Sequence, residues 1–113
     1  LGVCLDVGWV TSAGFDAKQV FLMYGKRILD IHFKDKKLKE TNEGIQMKDT
    51  FPGDGDVNFQ GLFEAIQQIN WSGTLAIETD SDIFAKNPAE LVRKSKDFID
   101  RNLSPCNSLM QFD

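Results

Sequence analysis

Short apolar runs alternate with amphipathic stretches along this chain. Three runs stand out: Gly2-Val3-Cys4-Leu5-Asp6, Ile28-Leu29-Asp30-Ile31-His32 and Thr74-Leu75-Ala76-Ile77-Glu78. They are too short for helices and are bounded by turn residues, so they predict strands, the second reaching residue 34. Between them the apolar spacing becomes helical. Asp16 caps a helix, with Gln19 completing a capping box, and Ala17, Val20, Phe21 and Tyr24 share one face before Gly25 and Lys26 end it. Asn58 caps a second helix with the stripe Leu62, Phe63, Ile66 and Ile69. Asn87, Pro88 and Glu90 start a third, with Leu91, Val92, Phe98 and Ile99 facing inward and Pro105 stopping it. Residues 7–15 and 35–57 read as loops, the second unusually long at about 20 residues.

Strands alternating with helices give an α/β fold with parallel strands joined by right-handed crossovers. Alternation within the strands assigns their faces. Val3, Leu5, Leu29, Ile31, Leu75 and Ile77 turn toward the helices, whereas Cys4, Asp6, Asp30, His32, Ala76 and Glu78 turn the other way. An open doubly wound sheet would bury that second face under more helices. Small and polar groups there suit a barrel interior, with chemistry at the C-terminal strand ends.

A chain of 113 residues is at most one domain. A net charge of −4 opposes a nucleic-acid partner held through phosphates, and no apolar run approaches a membrane span. Cys4 in a core strand and Cys106 in a polar tail do not form a disulfide framework. The composition is that of a soluble protein, with the cytoplasm preferred to the periplasm. A start at Leu1, directly on a buried-looking strand, reads as the C-terminal piece of something longer, so a missing targeting segment carries no information.

The candidate chemistry sits where the runs end. Asp6, His32 and Glu78 occupy matched strand termini, and His32 is the sole histidine. Two carboxylates and an imidazole suit one divalent ion, Mn²⁺, Co²⁺, Mg²⁺ or Zn²⁺, with positions left for substrate. Each residue taken alone is equally well an ordinary polar group hydrogen-bonded to a loop; three at matched positions shift the balance.

The segments around these residues carry a resemblance. They are Leu5-Asp6-Val7-Gly8-Trp9, Arg27-Ile28 followed by His32-Phe33-Lys34-Asp35, Gly53-Asp54-Gly55-Asp56-Val57-Asn58-Phe59, and Ala76-Ile77-Glu78-Thr79-Asp80. In this order they resemble the C-terminal part of a sugar phosphate isomerase/epimerase of the xylose isomerase-like barrel superfamily. The resemblance implies that residues 1–103 supply strands six to eight, about three βα units, of a (β/α)₈ TIM barrel; residues 104–113, from the helix stop at Pro105 onward, read as a flexible tail. It implies Asp6, His32 and Glu78 as three of four ligands to one divalent ion. The fourth would lie before Leu1, on the missing N-terminal half or a homo-oligomer partner. It also implies Glu78 as a catalytic group, one of two glutamates that exchange a proton next to a sugar carbonyl through an enediolate.

Around that set, Trp9 stands where many relatives carry a histidine, and can stack on a sugar or simply pack a loop. Lys34 and Asp35 are candidates for substrate contact or for orienting the ligands, or else open a solvated charged run to Glu40. Asp30, inward and two residues before His32, needs a partner that the sequence does not name. Gly53-Asp54-Gly55 lacks the third glycine of a dinucleotide motif, and its acids disfavour a phosphate, so an unphosphorylated sugar or sugar derivative is expected. Phe59 and Ala65 break the apparent EF-hand at Asp54. Asn70-Trp71-Ser72 matches a glycosylation acceptor, but in a tight helix-to-strand turn.

The leading expectation is therefore a metal-dependent isomerase or epimerase. The alternatives are a lyase, dehydratase or oxidised-glycoside-cleaving enzyme of the same superfamily, or an inactive fragment, since one ligand and one proton-transfer group are missing. An apurinic-site endonuclease, needing several histidines, is disfavoured.

Overall fold

The computed structural model describes residues 1–78 and 85–103. The expectations for residues 79–84, for Pro105 and Cys106, and for the tail at 104–113 lie outside them. Strands β1 (Val3–Asp6), β2 (Ile28–Phe33) and β5 (Thr74–Ile77) form a three-stranded parallel sheet in the order β1-β2-β5. Three helices match the expected ones: α2 (Ala17–Tyr24), α3 (Phe59–Gln68) and α4 (Pro88–Asn102). Asp16, Asn58 and Asn87 cap them through side-chain oxygens that accept from Gln19, Gly61 and Glu90 N–H. No helix among the described residues is long and apolar enough to cross a membrane.

The hydrophobic core lies on the helix side of the sheet. Leu5, Ile31, Phe33, Leu75 and Ile77 pack there with Phe21, Leu62, Phe63, Leu91 and Ile99. Val92, expected to face inward, is instead on an exposed edge, as is Tyr24 at the end of the α2 stripe. Phe33, Phe59, Phe63 and Phe98 make one aromatic cluster with centroid separations of 4.6–6.3 Å. The opposite face carries Cys4, Asp6, Asp30, His32 and Glu78, all partly or fully accessible. Consecutive βα units with helices on one face and polar groups on the other form part of a barrel wall, in keeping with the (β/α)₈ expectation.

One residue departs from the simple alternation. Leu29, expected toward the helices, is 63% exposed. Val3 pairs with Ile28 and Cys4 with Asp30, so Leu29 is an extra residue that bulges out of register, and Ile28 takes the buried place. The bulge restores the register that aligns Asp6 with His32 and His32 with Ala76.

Both expected loops contain regular structure. Residues 7–12 form a short helix, α1 (Val7–Ser12), with Asp6 as its N-cap. Its β-branched Val7, Val10 and Thr11 hide the helical signal. The long segment after β2 holds a hairpin, β3 (Asp35–Thr41) and β4 (Gly44–Thr50), paired antiparallel from Asp35↔Thr50 to Thr41↔Gly44. Its strands are rich in Lys and lack a clean apolar face, so hydropathy does not reveal them.

Trp71, between the exposed Asn70 and Ser72, turns into the core. It is buried, packs edge-on to Phe21 at 5.9 Å, and donates from Nε1 to the Ile28 carbonyl at 2.7 Å. Trp71→Phe is expected to destabilise the fold by about 1–3 kcal/mol, because a buried carbonyl at the start of β2 loses its donor. Urea unfolding followed by circular dichroism measures this.

Candidate metal centre

The register of the sheet brings the three strand-end residues together. Asp6 and His32 are direct neighbours across β1 and β2. Phe33 pairs with Ile77, so Glu78, just past the end of β5, lies one step beyond and level with Lys34. One ligand atom from each of Asp6, His32 and Glu78 falls within 4.8 Å of the others. Two donors of one ion with bonds of about 2.1 Å stand at most about 4.2 Å apart, so small side-chain rotations close the set. Two hard oxygens and an imidazole nitrogen match a divalent cation, and the residues fit the ion expected from the sequence.

Each ligand candidate is held by a specific neighbour. Asp6 Oδ1 accepts the Trp9 N–H at 3.0 Å as the cap of α1. The loop-bonded reading of Asp6 is therefore true alongside its membership of the cluster, since a carboxylate has further lone pairs to offer. His32 Nδ1 lies 2.5 Å from Glu78 Oε1, and its Nε2 lies 3.3 Å from Asp30 Oδ2. Glu78 Oε2 meets the Lys34 ammonium at 2.7 Å. Glu78 thus divides its two oxygens between the His32 imidazole and the Lys34 cation. Cys4 donates to Asp30 Oδ2 at 3.8 Å. Burial, followed by the Asp30 charge, pushes the Cys4 thiol up.

The other two expected substrate contacts fare differently. Trp9 is 62% exposed beside the cluster, but the Lys36 ammonium sits 4.5 Å from its ring centroid. Lys36 is buried and also pairs with Asp49 at 3.2 Å, so it is a neighbour of the site and not part of a solvated run. The sequence signal for it is the period-two spacing Lys34, Lys36, which a loop assignment conceals.

Asp35, expected to contact substrate or orient the ligands, turns its carboxylate to backbone N–H groups instead. It is buried, and its oxygens accept backbone N–H groups from Lys36, Gly53 and Gly55 at 2.9 Å and from Val57 at 3.2 Å. Burial pushes its carboxyl up, and the N–H groups of Gly55, Val57, Gly53 and Lys36 pull against that without cancelling it. The two glycines of the Gly-x-Gly motif have structural reasons. Gly53 has φ +98°, which favours glycine, and a Cβ on Gly55 would collide with the Asp35 carboxylate and the Lys36 carbonyl. The motif is a cradle for Asp35. A groove of about 760 Å³ lined by Phe51, Asp54, Lys94 and Arg101 involves none of the cluster residues.

Comparison with known proteins identifies the family. Residues 1–102 match the family described as xylose isomerase-like TIM barrel. The chain is 30% identical to inosose dehydratase of Lacticaseibacillus casei over 92% of its own length and 39% of that protein. It is 30% identical to inosose dehydratase of Clostridium perfringens over 83% of its length and 35% of that protein. Against the Geobacillus thermodenitrificans inosose dehydratase the identity is 28%, with the same coverage. The chain thus spans between about a third and two-fifths of the length of these curated relatives. Together with the parallel sheet and its polar face, the match over residues 1–102 places the chain in the xylose isomerase-like TIM barrel family.

Proposed function

We propose that this chain supplies strands six to eight, and three ligands, of the active site of a divalent-metal-dependent dehydratase acting on a polyhydroxylated ketone of the inosose kind. The observation that carries the reading is Glu78, held between the His32 imidazole and the Lys34 ammonium at the end of β5. The similarity to inosose dehydratases favours dehydration over isomerisation, which the motifs alone put first.

In this reading Glu78 takes the proton from the carbon next to the ketone. The electrons of that C–H bond form the enolate, which collapses with loss of hydroxide from the adjacent carbon, and a proton completes the departing water. A bound divalent ion supplies electrostatic stabilisation of the developing oxyanion. Asp6, His32 and Glu78 would hold it. Lys34 keeps a positive charge beside Glu78, where negative charge develops and shifts during the reaction. Trp9, backed by Lys36, offers an apolar wall to the ring carbons. The isomerase or epimerase reading shares the first step and differs in whether water leaves.

The assay uses the assembled barrel with an inosose and a panel of keto-sugars, with Mn²⁺ or Co²⁺ present. Loss of one water from the inosose, seen by mass spectrometry and stopped by chelator, is the expected result. Interconversion of keto-sugars without water loss would move the assignment to isomerase. No conversion of either class would overturn both. The isolated 113-residue segment, with three ligand candidates clustered among its described residues, is expected to show no turnover.

A further inference from the structure

Asp30 lies two residues before His32 on β2 and on the same side of the sheet. Its Oδ2 stands 3.3 Å from His32 Nε2 and accepts the Cys4 thiol at 3.8 Å. Its Oδ1 is buried with no hydrogen-bond partner among the described residues. The other ring nitrogen, Nδ1, faces Glu78 Oε1. One imidazole thus stands between two carboxylates, and only Glu78 belongs with Asp6 in the three-ligand set.

A neutral imidazole has one N–H and one lone pair, and the partner of the first fixes the direction of the second. We propose that Asp30 is the positioning residue of the metal centre: it holds the His32 N–H at Nε2 and so presents the Nδ1 lone pair toward Asp6 and Glu78. This rests on the metal-centre reading above. A carboxylate behind a metal-bound histidine orients the ring and raises its basicity. It also accounts for an inward acid that leaves one oxygen unpartnered, an arrangement that costs stability and brings the core nothing.

Cys4, Asp30 and His32 also bring ligand atoms within 4.8 Å of one another, which raises a competing role for Asp30 as a ligand to a second ion. Histidine chemistry decides against it. His32 would then have to give lone pairs from both nitrogens, which a neutral ring does not possess. The Cys4 thiol, donating to the same Asp30 oxygen, acts as a second anchor for that carboxylate.

The test uses the assembled barrel with ¹⁵N-labelled histidine and Zn²⁺ as the probe. Long-range ¹H–¹⁵N spectra identify the metal-bound nitrogen, with His32→Gln assigning the signal. The expected spectrum has Zn²⁺ on Nδ1 and a proton on Nε2 that is protected from exchange. Asp30→Ala is expected to weaken Zn²⁺ binding by about 10–100-fold and to expose that proton to exchange. Asp30→Asn keeps an acceptor oxygen and is expected to lie closer to wild type than to Asp30→Ala on both measures. If Asp30→Ala fails to fold by circular dichroism, the Asp30→Asn spectrum and affinity decide.

Zn²⁺ on Nε2 would overturn the proposal, as would wild-type affinity in Asp30→Ala. So would a second equivalent of Zn²⁺ lost in both Cys4→Ser and Asp30→Ala. Absence of any Zn²⁺ binding by the wild type would instead remove the metal-centre reading itself, and this assignment with it.

Discussion

Glu78→Gln in the assembled barrel is expected to lower turnover by about 10³-fold, with folding and the sheet intact. The side chain sits past the end of β5, one-fifth exposed, and contributes nothing to the core. Its value is electrostatic. The amide keeps the shape but loses the charge that pairs with Lys34 and the basicity that the proposed proton transfer needs, and general-base removal alone is worth about 10²–10⁴. The same change weakens divalent-ion binding, because an amide oxygen is a poorer ligand than a carboxylate. The two effects separate experimentally. Turnover measured at saturating Mn²⁺ isolates the proton-transfer loss, and a metal titration isolates the ligand loss. If added metal fully restored the rate, Glu78 would be a ligand only, and the base would lie elsewhere.

Asp35→Ala is expected to destabilise the fold by about 3–5 kcal/mol, from the roughly 1–3 kcal/mol attached to each buried group left without a partner. The N–H groups of Lys36, Gly53, Gly55 and Val57 all lose their acceptor, and some of them regain water. Against a typical stability of about 5–15 kcal/mol this is a large fraction. A loss below about 1 kcal/mol by urea unfolding would show that the cradle is dispensable. Asp35→Asn keeps one acceptor oxygen but turns an amide toward the remaining donors, so it is expected to fall between. The native carboxyl is raised by burial, so the folded state keeps its proton to higher pH than the unfolded state, whose value is near 3.8. The stability tied to that proton is therefore complete below 3.8 and is lost as pH rises through the folded value. Asp35→Asn is expected to remove that slope.

The contrast between Glu78 and Asp35 explains what could be read in advance. The grouping of the three strand-end side chains is legible because period-two alternation places residues on faces, and matched strand termini become neighbours in a parallel sheet. Asp6, His32 and Glu78 need only that rule. Helix caps at Asp16, Asn58 and Asn87 were legible for an equally local reason. Asp35 follows no local rule. Its partners lie about 20 residues ahead, and nothing in the composition distinguishes a carboxylate that binds substrate from one that binds backbone. The hairpin escaped for a related reason. Its pairing is a backbone ladder between polar side chains, and hydropathy sees only side chains. Leu29 breaks the alternation because a bulge shifts the count by one, and a bulge is visible only when the partner strand is known. The choice between dehydratase and isomerase turns on whether water leaves, and the strand-end pattern does not encode it.

The Asp35 cradle also divides the molecule mechanically. It fastens the start of β3 to residues that follow the end of β4, so the hairpin is clasped at its base. Forces applied at the Asn42–Glu43 tip end at that clasp before they reach His32 or Lys34. The tip is therefore the place where this chain can be lengthened, shortened or exchanged for another hairpin while the strand-end chemistry stays where it is.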